Sequence, residues 1–196
     1  TKSSPTNSVT TVPAECNTSL AIWEQLGMDI DGDELEFSAG TASAISADGN
    51  TVVMGTTGGK VRVFRNMGGT WTQLGSNIFE GFGDAVAISA DGNTIAVGAP
   101  GKNSFTGAVR AYQYSNGNWT QIGSDINGDA NFDNAGNAVS ISEDGTIIAV
   151  GIYGSNGGNG KVRIYKNISG IWTQVGADIN PSSGVEQFGR SVSLSQ

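Results

Sequence analysis

The acidic residues offer the most chemistry in this sequence. Asp29, Asp31 and Asp33 alternate around Gly32, and a second stretch carries Asp125, Asn127, Asp129 and Asp133. Alternating oxygen donors beside a glycine suit a hard cation such as calcium, which gathers about 6–8 oxygen ligands. A solvated polar loop on an acidic protein reads the same way, and both readings stand at this point. Calcium is the one cofactor these residues suggest. The arginines Arg62, Arg110 and Arg163 occupy one recurring position. They form either an anion-binding ring or, as the recurrence favours, the structural partners of nearby carboxylates.

Other chemistries are narrowed by what the composition lacks. The chain has no histidine, which removes histidine-activated serine and cysteine nucleophiles and histidine-ligated zinc and iron. The single cysteine, Cys16, has no partner in the chain and no base beside it. It reads as a lone thiol or half of a bridge to sequence outside this chain. Eighteen acidic residues against ten basic ones give a net charge of −8, which repels a phosphate backbone, so nucleic acid is not an expected partner. No run approaches the ~20 apolar residues of a membrane-spanning helix, and no membrane insertion is expected.

The elements that must position these residues are repeats. Trp23, Trp71, Trp119 and Trp172 open one phrase four times, as in Trp119-Thr120-Gln121-Ile122-Gly123. A period of about 50 residues signals a propeller or an array. Within each period, an alternating segment such as 85–89 is followed by an Asp-Gly pair (Asp48-Gly49, Asp91-Gly92, Asp144-Gly145). That pair predicts a two-residue hairpin turn. A second strand (51–55, 94–98, 147–151), a Gly-rich loop, a third strand around the arginine and then the tryptophan strand complete the unit. Four short antiparallel strands joined in sequence make a propeller blade. The fold class expected is therefore an all-β propeller of four-stranded antiparallel blades, with units at 23–70, 71–118 and 119–171 and a partial one at 172–196. That is about three and a half blades against the 4–8 of closed rings, so an incomplete ring within a larger propeller is expected. Residues 1–22, rich in Ser, Thr and Pro, read as a linker or stalk. The chain opens on Thr1, as a processed or excised start would.

Phe82-Gly83 followed by Gly98-Ala99-Pro100 resembles the FG-GAP repeat of integrin α-chain propellers. The whole phrase is similar to the FG-GAP-like repeats of secreted and surface proteins of marine bacteria and algae. The other units keep parts of it, with Ala39-Gly40, Ala135-Gly136 and Phe188-Gly189 at the first site and no Ala-Pro after Gly55 or Gly151. The acidic calcium loop that integrin repeats place between the first two strands is replaced here by the Asp-Gly turn, so that site is not carried over. Ser46-Ala47-Asp48-Gly49 also resembles, in part, the Asp-box of sialidase propellers, without its downstream tryptophan.

The resemblance implies a non-catalytic, extracellular adhesion or interaction module, part of a larger surface, cell-wall or filament protein. Its expected partner is a protein or a glycan at the cell surface or matrix, and its open strand edge suggests self-assembly. A purely structural assembly unit and a polysaccharide-active, glycosidase-like enzyme are the alternatives. The longer loops 101–107 and 154–160 are the expected contact surfaces, because loops on a rigid scaffold carry recognition. Asn17, Asn118 and Asn167 each open a glycosylation sequon, to be used if the source is eukaryotic.

Overall fold

The computed structural model describes residues 24–32, 39–56, 58–79, 81, 83–184 and 187–195. The expected linker at 1–22, with Cys16 and Asn17, lies outside them, as do Trp23, Asp33 and Phe82.

Three sheets follow one another along the chain. The first runs β1 (Ala39–Ile45), β2 (Thr51–Thr56), β3 (Lys60–Met67), β4 (Thr70–Gln73), with the short β5 (Ile78–Phe79) returning to β3. The second is β6 (Ala85–Ile88), β7 (Thr94–Ala99), β8 (Ala108–Ser115), β9 (Asn118–Asn127). The third is β10 (Ala135–Ile141), β11 (Ile147–Ile152), β12 (Lys161–Ile168), β13 (Ile171–Gln174). Each is an antiparallel meander in sequence order, and the sheets pack face to face as propeller blades without closing a ring. The first strands β1, β6 and β10 are neighbours, as inner strands are.

Side-chain alternation decides which face meets which blade. In β7 every residue is buried: Ile95 and Val97 enter a cluster with Val53, Val61 and Val63 of the first blade, while Ala96 faces Ile148 and Val150 of the third. Branched chains on one face and small ones on the other let two sheets sit at close range on either side of the middle blade.

Glycines fix the spacing of the inner strands. A Cβ added at Gly55, Gly98 or Gly151 would collide with the carbonyl oxygen of Gly83, Gly136 or Gly189 of the next blade. The two glycine positions of the repeat are thus a single backbone-to-backbone contact between successive blades.

The Asp-Gly turns differ from the expected two-residue hairpin. The Ser46 N–H donates to the Thr51 carbonyl and the Gly49 N–H to the Ser46 carbonyl, so four residues, 47–50, lie between the paired strand ends. The extra length is held by side chains. The Ser46 hydroxyl donates to the Asp48 carboxylate and accepts the Thr51 N–H, and Asp48 also accepts the Asn50 N–H. The Ser89/Asp91 and Ser142/Asp144 turns repeat the pattern. Two further strands expected from the repeat are not in a sheet: 24–32 and 191–195 carry no strand pairing. The Leu194 N–H instead donates to the Ser140 hydroxyl.

Candidate functional site

Each tryptophan phrase builds a joint between blades. The Trp71, Trp119 and Trp172 indole N–H groups donate to the carbonyls of Leu26, Leu74 and Ile122 at 2.7, 2.8 and 2.9 Å. Those acceptors belong to the preceding unit's own phrase, so every blade is latched to the one before it. The glutamine of the phrase works locally. Gln25, Gln73, Gln121 and Gln174 donate to Asp29, Asn77, Asp125 and Asp178, four residues on.

That geometry assigns two of the candidate cation ligands a repeated structural place. Asp125 is wrapped by donors: Arg110 at 2.7 Å, Lys102 at 2.8 Å and Gln121 at 3.0 Å. Burial pushes its carboxyl up, but the hydrogen bonds from Arg110, Lys102 and Gln121 prevail and hold it well below the usual carboxylate range. Asp129 meets Arg163 at 2.6 Å and Lys161 at 2.7 Å across the boundary to the third blade. The Arg163 hydrogen bond, reinforced by Lys161, brings its carboxyl down to about 2. Asp178 completes this network with Arg163 at 2.7 Å and Lys161 at 3.2 Å. Asp133 is buried and accepts the backbone N–H groups of Asp129 and Ala130, which closes its own loop. Asn127 is exposed and directs its amide to the Asp125 carbonyl. Asp29 and Asp31 are both exposed, and the Asp31 carbonyl accepts Arg62.

The stretch 125–133 therefore does not bring its oxygens to one centre, and the donor set does not fit a calcium ion: its carboxylates face guanidinium, ammonium and backbone donors. Among the described residues no group of three or more carboxylate, cysteine or histidine side chains is arranged to hold a metal. Arg110 and Arg163 act as the blades' own counter-ions. Where the phrase offers Asn77 in place of the carboxylate, Arg62 instead reaches the Asp31 carbonyl and lies 5.2 Å from the Phe64 ring centroid.

Two residues that the sequence reading did not name, Phe105 of the expected contact loop 101–107 and Phe132, lie in the same loops that carry Lys102, Asp129 and Asp133. The loops 100–107 and 128–134 are zipped together: the Phe132, Asn134 and Ala135 N–H groups donate to the Ser104, Phe105 and Thr106 carbonyls at 3.3, 2.8 and 3.1 Å. This brings Phe105 and Phe132 into a stack, centroids 5.9 Å apart and planes 12° from parallel. Both stay open to solvent, at 51% and 65% exposure. Both also hold left-handed backbone, φ 62° and 68°, following Asn103 and Ser104 at 51° and 54°. A left-handed residue other than glycine costs roughly 1–2 kcal/mol. The matching loop of the third blade uses Gly157 and Gly158 where this one has Ser104 and Phe105. The signal in the sequence was a pair of phenylalanines, each the one large apolar residue in a loop of otherwise small or polar residues (Pro100-Gly101-Lys102-Asn103-Ser104 before the first, Gly128-Asp129-Ala130-Asn131 before the second).

Of the sequons, Asn118 is exposed at the start of β9, whereas Asn167 is half-buried and its side-chain oxygen accepts the Gly170 N–H. No helix among the described residues is long and apolar enough to cross a membrane.

No protein-family model matches the chain, and none of the curated proteins matches it. Solved structures do. Hydrazine synthase of Kuenenia stuttgartiensis is similar at TM-score 0.52 and 19% identity, over 71% of this chain and 36% of that one. The β-propeller domain of Cps50 (Swd1) from Myceliophteria thermophila gives TM-score 0.46 and 15% identity, over 71% of this chain and 42% of that one. The chain spans less than half the length of either. The likeness to the first is one of fold alone.

Proposed function

We propose that this chain is a non-catalytic interaction module that works outside the cell, at a surface, wall or matrix, and takes a protein or glycan partner on its loop face. The observation that supports this is the exposed Phe105–Phe132 stack. A large side chain is kept at a left-handed position where the neighbouring blade uses glycine, and its ring is left in water. Strain and exposure together offer no gain to the fold and suit a ligand that covers the rings. The carboxylates near it are bound up in ion pairs, which fixes the scaffold beneath the loops. The FG-GAP-like motif and the sequons at Asn118 and Asn167 are in keeping with an extracellular setting.

The test is binding of the purified chain to immobilised alginate, β-glucan and gelatin, compared with a Phe105→Ala/Phe132→Ala double variant. The expected result is retention of the wild type on at least one surface and loss of that retention in the variant, with an unchanged circular dichroism spectrum. Equal retention of both proteins, or none of either above a bare support, would refute the loop-face reading.

A further inference from the structure

The charges around the Phe105–Phe132 stack are already spent inside the protein. The loops 100–107 and 128–134 hold three charged residues, Lys102, Asp129 and Asp133. Lys102 is paired with Asp125 at 2.8 Å, and Asp129 with Arg163 and Lys161 at 2.6 and 2.7 Å. Asp133 is buried and accepts the Asp129 and Ala130 N–H groups. A cationic ligand would meet carboxylates that are satisfied. A polyanion would meet a chain of net charge −8 and, among the described residues of the two loops, no unpaired cation. The ligand that suits this surface is uncharged.

The size of the apolar patch separates a glycan from a protein. Two phenylalanines, 51% and 65% exposed, offer about 200 Å² between them. A specific protein interface takes about 800 Å² from each partner, around a core of clustered apolar anchors. The residues beside the rings do not extend the patch: Gly101, Asn103, Ser104, Ala130 and Asn131 are exposed and all small or polar. The Asn103 and Ser104 side chains have no hydrogen-bond partner among the described residues, and the Asn131 side chain only receives the Thr106 hydroxyl at 3.3 Å. A small apolar platform bordered by unspent amides and a hydroxyl matches a sugar ring, which can lay its C–H bonds on the negative face of an aromatic ring while its hydroxyls reach the polar groups around it.

We propose that the Phe105–Phe132 platform binds an uncharged polysaccharide, one sugar ring lying on an outer face of the stack while Asn103, Ser104 and Asn131 take its hydroxyls. The rings are 12° from parallel, so each covers one face of the other and leaves one outward. The three hydrogen bonds that zip the loops together hold this arrangement before any ligand arrives, which keeps the ordering cost of binding low. The proposal rests on the loop face being the contact surface and narrows its ligand from protein or glycan to one class.

Retention of the purified chain on immobilised β-glucan, mannan, alginate and gelatin, each at about 0.05 and 0.5 M salt, tests the class. The wild type is expected on β-glucan or mannan, equally at both salt concentrations, and not on alginate or gelatin. Asn103→Gly/Asn131→Ala keeps both rings and the left-handed backbone at 103, φ 51°. It is expected to weaken retention by about tenfold with an unchanged circular dichroism spectrum. Retention on alginate or gelatin that Phe105→Ala/Phe132→Ala abolishes keeps the loop face as the contact surface and overturns the uncharged-glycan assignment. Retention on β-glucan or mannan that collapses at the higher salt, or that the asparagine pair leaves intact, overturns it too. No retention on any of the four overturns both readings.

Discussion

Gly98→Ala puts a single methyl group where two backbones touch. The added Cβ would stand 2.9 Å from the Gly136 carbonyl carbon and closer still to its oxygen. Gly98 has no left-handed backbone to strain, so the effect is purely one of space. Overpacking a well-filled interior costs about 1–3 kcal/mol when side chains can yield. Here both partners are main chain held in β7 and at the start of β10, and the blades themselves must part. The cost is therefore set at about 3 kcal/mol or more. At about 2–4 °C per kcal/mol for a chain of this size, the melting temperature falls by about 6–12 °C. Gly101→Ala is the control, three residues away: its φ of −78° suits alanine and only the Phe105 ring lies nearby, at 3.9 Å. That change is expected to leave stability level or raise it by about 0.4–1 kcal/mol. Thermal unfolding followed by circular dichroism at one scan rate reads both. If Gly98→Ala melts within about 2 °C of the wild type, the glycine pairs are not what sets the blade spacing.

Three other outcomes follow from the same geometry. Ser104→Gly, which relieves a left-handed serine and copies Gly157 of the next blade, is expected to raise stability by about 1 kcal/mol; a loss measured in urea would show that the loop is not strained there. Asp129, held down to about 2 against an ordinary value of about 3.9, contributes stability above the higher value, and that contribution disappears as pH falls through the lower one. Melting temperature is thus expected to drop between about pH 4 and pH 2, less steeply in Asp129→Asn, and the shift at neutral pH is small because Asp129 is half-exposed. Identical slopes for variant and wild type would remove Asp129 from the network's pH response. Exchanging calcium for a chelator is expected to leave the melting temperature unchanged, because Asp125 and Asp129 already face the protein's own cations. A rise in calcium that Asp29→Asn/Asp31→Asn abolishes would place the ion in the first acidic stretch.

How much of this was legible in the sequence depends on whether a feature recurs. The strand order, the second and third strands and the arginine position are repeated text, and repetition signals a unit stacked on its neighbours whatever each residue does. Recurrence does not reveal which neighbour a residue serves. Trp119 reads as a packing residue, yet its N–H crosses to Leu74 of the preceding blade. The Asp-Gly pair reads as the centre of a tight hairpin, yet Ser89 and Asp91 hold a longer turn. Asp125 and Asp129 stand four residues apart in an acidic stretch, but the loop directs one into the second blade's Arg110 and the other across to Arg163 of the third. Spacing along the chain records donors in a row; which cations reach them is set by strands 15 and 34 residues away. The Phe105–Phe132 stack escaped for the opposite reason. It breaks the repeat instead of obeying it, and a departure from a repeat becomes interpretable only when the fold shows what the regular residue, here Gly158 in place of Phe105, would have done.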